Sequence, residues 1–516
     1  MPIVQQGSLN TTALVVPDLY VQIVAPQNLL LNGVPTNVVG IVGTASWGPK
    51  NNATICASMA DYARLFGPIQ NRKYDAGTAM ATAVQQGAQD FRVVRVTDGD
   101  DVAATSAGVS TCITFTAIYT GSLGNSLTAS LSTGSKASSF KFTVGLPGQQ
   151  PEVYDNITGS GNAFWLALTA AINNGQSVQR GPSQLITASA GAGTTAAAAA
   201  TFTFSSGVDG AATATMATLI GSDSSRTGMY ALRAQGVSIG VLADGDDSTQ
   251  WSTANAFGLS EGIYMIQVIP AGTSISSAVT AKNGAGVDSY ATKLMHGDWV
   301  WWNDQANAVT RLVSPQGFIA GRLANLSPEQ SSLNKPLFSV VGSQKSGLPT
   351  GQNQAYSAAE LSVLFQAGID VIANPQPGGR YWGARAGHNS SSSAAVNGDN
   401  YTRLTNYISA TLAAGMGVYV GQVINADLFR RIRATLLSYM QNMLQQGQLG
   451  STDGSIPFSV ICDARNNPLS RTALGYVQAD VQVQYMAINE KFIVNLEGGQ
   501  TVQVLRQTTP EGQVAA

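Results

Sequence analysis

The chain is poor in charge. Asp, Glu, Lys and Arg make up 11% of its 516 residues, against about 25% in an ordinary globular protein, so much of its surface must be neutral and polar. The formal net charge of -2 supplies no field to draw phosphate backbones or anionic lipid, and nucleic acid is not an expected partner. Histidine is almost missing, so His296 and His388 are the two imidazoles available for acid–base chemistry. The three cysteines, Cys56, Cys112 and Cys462, are far apart and odd in number; they describe neither a disulfide framework nor a zinc site and fit a reducing compartment. There is no uninterrupted apolar run of about 18 residues and no basic stretch leading into an apolar core at the start, which predicts a protein neither membrane-inserted nor exported by that route.

What is present is enough apolar material, 44% of residues, to fill the cores of two to four domains. Residues 1–36 read as an extended arm, because Pro17, Pro26 and Pro35 punctuate short apolar clusters that hold Val15, Tyr20, Val21 and Ile23. Residues 37–102 read as an α/β unit. A buried strand spans 38–45, Ser58 caps a short helix that Gly67-Pro68 ends, a second helix covers 76–86, and a strand runs through 91–96. Between 103 and 212 Ser, Thr, Ala and Gly dominate and short strand-like runs recur, which suggests an inserted β-rich module. Its low-complexity end, 188–200, is expected to be a loop or linker.

Alternating helix and strand patterns over 213–350 favour an α/β layer. Residues 351–475 continue the alternation into a helix over 401–414 and another over 426–446, the latter with Leu428, Ile432, Leu436, Met440 and Met443 on one face. Residues 476–516 form a terminal arm. Val477, Val481 and Val483 alternate with polar residues, then 492–496 and 501–505, with Val502 and Val504, read as further strands. Terminal strands without a sheet of their own leave backbone donors and acceptors open, and a second copy of the chain is a ready partner.

Few motifs carry chemistry. Gly258-Leu259-Ser260-Glu261-Gly262 matches the G-x-S-x-G pattern, but a nucleophile elbow needs a strand before the serine and a helix after it, and here the order is reversed. Ser260 is therefore expected in a helix-to-strand turn. The acidic runs 98–101 and 244–247 lack the glycine and distal glutamate of a calcium loop and read as solvated turns. Trp299, Trp301 and Trp302 read as packing residues, with Trp299 and Trp301 on one side of a strand and Trp302 on the other. No phosphate loop, Cys/His cluster or carboxylate pair gives a reason to propose catalysis, a cofactor or a metal.

Several segments, in order, carry a resemblance: VGIVGTASWGP at 39–49, DYARLFG at 61–67, FRVVRV at 91–96, GSLGNSL at 121–127, GVDG at 207–210, PQGFIAGRLA at 315–324, GIDVI at 368–372 and RYWGAR at 380–385. Together they resemble the tail sheath proteins of contractile-tailed bacteriophages. The resemblance implies a multidomain α/β and α+β fold: a mixed-sheet core with a subtilisin-like layer, an inserted β-rich domain and strand-forming arms. It further implies hexameric rings stacked around a tail tube, contraction that drives the tube through the host envelope, partners in the tube, baseplate and tail-terminator proteins, assembly in the host cytoplasm and residence in the virion tail. In that setting Arg430, Arg431 and Arg433, close together on one helix, are either a solvated face or an electrostatic contact with the tube. A serine hydrolase using Ser260 and a surface lattice or adhesin protein are the alternatives.

Overall fold

Six short runs of β-branched and apolar residues make the central sheet. In the computed structural model, which describes residues 3–6, 20–23, 31–348 and 354–498, the strand order is Thr292–Met295, Tyr264–Val268, Ile239–Leu242, Val38–Gly43, Asp90–Arg95 and Thr54–Cys56. The first five are parallel and the last is antiparallel to its neighbour. The chain thus builds outward from Val38–Gly43 in one direction, then returns to that strand to build in the other. Both faces are covered, which is why the strands read as continuous apolar runs rather than alternating ones.

The period-2 geometry of a strand divides the two cores. Val39 and Ile41 join Phe91, Val93, Ile239 and Ile266 under the helices Met59–Phe66, Ala76–Val84 and Gln316–Ala324. Val38 and Val42 join Val94, Leu242, Met265 and Leu294 on the opposite face, against Trp251–Glu261, Ile275–Ala285 and Ala358–Gln366. Ser58 caps the first helix by accepting from the Asp61 N–H, as its position predicts. The helices Ala76–Val84 and Gln316–Ala324 touch backbone to backbone: a Cβ on Gly317 would lie 2.0 Å from Thr82 Oγ1, and one on Gly321 would lie 2.3 Å from the Ala83 carbonyl oxygen. Only glycine permits that approach.

The β-rich module is an insertion between two strands of this sheet. Its two antiparallel sheets, one ordered Glu152–Ile157, Phe140–Gly145, Thr128–Thr133, Ala200–Thr203 and the other Ile186–Ala190, Ile113–Thr120, Ala103–Val109, enclose a separate core with the helix Asn162–Asn174, where Phe164 and Trp165 are fully buried. The alanine-rich stretch 188–200 is a loop over 191–199, as expected, but it is fastened at both ends and in the middle. Ile186–Ala190 and Ala200–Thr203 are strands, and between them the Thr195 carbonyl accepts from Trp165 Nε1 at 2.8 Å. Alanine and threonine lack the bulk that marks a strand in sequence, but the exposed face of a small sheet does not need it.

The helices Asp399–Gly415 and Ala426–Gln445 pack on a two-stranded antiparallel ribbon of Phe458–Ile461 and Asp480–Val483. The terminal strand expected to have no sheet of its own therefore pairs within its own chain over these residues. Near the other end, Tyr20–Ile23 pairs in parallel with Ile3–Gln6. The described residues 487–498 stand apart from the compact body as a separate unit. Residues 487–498 carry no helix or strand there, although 492–496 has strand composition, because an extended segment becomes a strand only when a neighbour takes its backbone groups.

Candidate assembly surfaces

The ribbon is held from below. Phe458, Val460, Val481 and Val483 pack with Leu428, Ile432, Leu436 and Met440 of the long helix, whose N-terminus is capped by Asn425 accepting from the Leu428 N–H at 2.8 Å. Those helix positions are the apolar face read from the sequence. Register pairs Phe458 with Val483, Val460 with Val481 and Ile461 with Asp480. A sheet of two strands has two outer edges, and among the described residues no third strand covers either. Each edge offers a row of backbone donors and acceptors to another chain. Of the proposed arm residues, Val481 and Val483 lie in this ribbon, Val477 precedes it, Tyr20, Val21 and Ile23 lie in the N-terminal strand pair, and Val15, Val502 and Val504 fall outside the described residues.

On the same long helix Asp427 serves two arginines, Arg430 at 3.3 Å and Arg431 at 3.2 Å. Arg430 is 78% exposed, so these ion pairs contribute only about 0.3–0.5 kcal/mol each. Arg433 is exposed and has no ion pair among the described residues. Val420, Val423, Leu469 and Leu474 are also largely exposed in this C-terminal region.

The turn at Ser260 is not a nucleophile elbow. Ser260 sits in the last turn of Trp251–Glu261, its hydroxyl donating to the Phe257 carbonyl at 3.0 Å, and Gly262 ends the helix in the left-handed conformation before the strand Tyr264–Val268 begins. His296 is buried elsewhere, with Nδ1 accepting from the Asp298 N–H at 3.2 Å. Burial, helped by Lys345, pushes its imidazole down to about 4, so at neutral pH it is uncharged. Asp298 in turn accepts from Tyr356 and Ser343 at 2.9 Å each. Among the described residues no group of three His, Cys, Asp or Glu side chains is placed to hold a metal ion. The acidic runs expected to be solvated turns are partly tied down: Asp101 pairs with Lys50 at 2.7 Å and Asp246 with Lys73 at 2.8 Å.

A fully buried polar hub was not evident from the sequence. Lys293, on the strand Thr292–Met295, reaches Asp370 at 2.7 Å and Asp399 at 3.0 Å, and all three side chains are 0% exposed. Asp399 also accepts from the Tyr264 hydroxyl at 2.6 Å and from the backbone and side chain of Ser332. Asp370 accepts four backbone N–H groups, from Val371, Arg385, Ala386 and Gly387. Burial pulls the Lys293 ammonium down, but the two carboxylates outweigh it and hold it above its ordinary value. The hub fastens the C-terminal region to the edge of the central sheet. The signal was a lysine inside an otherwise uncharged, fully buried strand.

No protein-family model and no curated protein matches the sequence. Solved structures do match the fold. The chain superposes on a sheath tail protein from Desulfitobacterium hafniense with TM-score 0.58 at 15% identity, covering 86% of this chain and 93% of that one. A sheath tail protein from Listeria innocua gives TM-score 0.59 at 13% identity, covering 83% and 89%. The sheath of an extracellular contractile injection system, in its contracted state, gives 0.54 at 12% identity, covering 94% and 98%. Helices, sheets and insertion together make this chain's fold that of the contractile tail sheath proteins.

Proposed function

We propose that the protein is the structural subunit of a contractile sheath and performs no catalysis. The observation that carries this reading is the likeness to sheath subunits across more than four fifths of the chain; the open-edged ribbon supplies a physical means of assembly. In this reading subunits form hexameric rings stacked around an inner tube, between a baseplate and a tail terminator. The terminal arms of neighbouring copies, from residues 1–36 and from the part of 476–516 that follows the ribbon, extend the ribbon of Phe458–Ile461 and Asp480–Val483 into a larger sheet. Each added main-chain hydrogen bond contributes about 0.5–1.5 kcal/mol, and several in a row make a link that survives rotation of the domains it joins. The inserted module faces outward, and Arg430, Arg431 and Arg433 face the tube.

Contraction then needs no fuel at firing. The extended array is a trapped state, and rigid subunits gain lateral contacts when the baseplate releases them. Weak tube contacts suit this cycle, because many exposed ion pairs hold a tube collectively and still let go together. The same fold serves injection-system sheaths, and a bacteriophage tail that ejects DNA is our more specific reading.

Electron microscopy of the purified protein tests the proposal, with hollow cylinders or rings as the expected result. Removal of residues 1–30 or of 487–516, which spares the ribbon, should leave folded monomers that no longer polymerise. Normal tubes from both truncated chains would refute arm exchange, and a protein that stays monomeric under every condition would refute the sheath.

A further inference from the structure

A cavity of about 300 Å³ lies beside the N-terminal ends of the central strands. Its walls come from four separate parts of the chain: the segment Val34 to Thr36, the turn before Ile239–Leu242, with Leu232 and Val237, the turn Glu261 to Ile263, and the helix Asp399–Gly415. Its volume is at the lower end of small-molecule sites, and its lining is mainly apolar, as such sites are.

Polar side chains interrupt that lining, among them Ser238, Glu261 and Tyr407, and two of them, Arg403 and Asn406, bring nitrogen donors. Arg403 is 5% exposed. Its guanidinium donates to the carbonyls of Ser327 at 2.9 Å, Leu326 at 2.8 Å and Thr36 at 3.3 Å, and pairs with no carboxylate among the described residues. A guanidinium has five N–H donors, and these three bonds do not use them all. Burial pushes it down to about 10, so it remains a cation at neutral pH. One turn further along, Asn406 Nδ2 is buried with no hydrogen-bond partner. A buried donor left empty costs about 1–3 kcal/mol. The carboxylate at the rim, Glu261, is already engaged by Arg233 Nε at 2.7 Å.

We infer that this cavity binds the carboxylate of an apolar chain, with the hydrocarbon against Leu232, Val237 and Ile263 and the carboxylate received by Arg403 and Asn406. An occupant would also fasten the root of the N-terminal segment, because Thr36 is bonded to Arg403 and the Val34 N–H donates to Thr411 Oγ1 at 3.2 Å. Binding of a carboxylate does not depend on the sheath reading, whereas assigning it to a second copy rests on that reading. The carboxylate can belong to a free fatty acid or to an acidic residue of a second copy.

Calorimetric titration of the full-length protein with octanoate is the test. One saturable site is expected, with octanamide at least about tenfold weaker because it lacks the charge. Ala410→Trp, at an exposed helix position on the cavity mouth, should abolish binding while leaving the circular dichroism melt unchanged. Asn406→Leu should weaken it about tenfold, and serves in place of Arg403 variants that lose three structural bonds. Absence of saturable octanoate binding, equal affinity for octanamide, or undiminished binding by Ala410→Trp would each overturn the inference. Native mass spectrometry of the untreated protein separates the sources: a small co-purifying acid marks a free ligand, whereas an empty cavity whose filling by octanoate blocks polymerisation marks a second copy.

Discussion

Replacing Lys293 by methionine should loosen the hold of the C-terminal region on the central sheet. Methionine matches the length of the lysine stem, so packing changes little and the perturbation is electrostatic. Wild-type Lys293 lies 2.7 Å from Asp370 and 3.0 Å from Asp399, with no solvent access to any of the three side chains. Without the ammonium, two buried carboxylates face each other uncompensated. Asp370 keeps its four backbone donors and Asp399 keeps Tyr264 and Ser332, but those bonds do not neutralise charge. Breaking a buried pair from one side costs about 3–5 kcal/mol. Hydrogen exchange reads this directly. Amides of the strand Thr292–Met295 and of residues 370–400 should exchange roughly two to three orders of magnitude faster, while the inserted module is unaffected. Adding Asp370→Asn and Asp399→Asn to the same chain should restore much of the protection, since the uncompensated charge is then gone. Unchanged exchange in Lys293→Met, or a triple variant no better protected than the single one, would refute the reasoning.

Gly321→Leu forces apart two helices whose backbones touch, since its Cβ would lie 2.3 Å from the Ala83 carbonyl oxygen; a loss of about 1–3 kcal/mol should appear as a lowered melting temperature. Asp244 is pushed up from 3.8 to about 7, by burial first and by the neighbouring Asp75 as well. Because the folded state then holds the proton more tightly than the unfolded one, stability should fall as pH rises from about 4 to 7, by roughly 1–2 kcal/mol after allowing for the partial exposure of the side chain. Asp244→Asn, which also tolerates the positive φ of 51°, should make that part of a stability-against-pH curve shallower, with the slope from Asp75, pushed up to about 6 by burial, remaining. Ser260→Ala should leave melting and polymerisation unchanged, and the wild-type protein should resist a serine-directed probe; labelling at Ser260 would revive the hydrolase alternative.

Local structure was legible where one kind of signal dominated. The run at 38–45 reads as a buried strand and forms one over Val38–Gly43, Ser58 caps where its position suggests, and the long helix shows its buried face in Leu428, Ile432, Leu436, Met440 and Met443. Neighbour relations were not legible. Nothing local to Val39 says that Ile239 lies on one side and Phe91 on the other, because parallel pairing depends on crossovers distant in sequence. Trp299 and Trp302 share one core although strand alternation placed them on opposite sides. Trp299 precedes the strand Val300–Asp304, so alternation does not apply to it, and its indole donates to the Ile269 carbonyl. The stretch 386–400 is polar in sequence, yet Asn389 and Ser390 are wholly buried. Composition cannot reveal that each polar group has a partner, such as Asn389 Nδ2 with the Val396 carbonyl at 2.7 Å. The hub of Lys293, Asp370 and Asp399 escaped for the same reason.

The way the β-rich module joins the sheet has a consequence for change over time. Its incoming and outgoing strands meet as an antiparallel bridge, with Val102 and Val208 exchanging N–H···O bonds of 3.0 Å in both directions, and the Asp98 N–H donates to the Gly210 carbonyl at 2.8 Å. Two chain ends held that close can be closed by a short hairpin or reopened around a different domain, with the neighbouring strands left in register. Selection can therefore exchange the inserted domain without disturbing the sheet from which it projects.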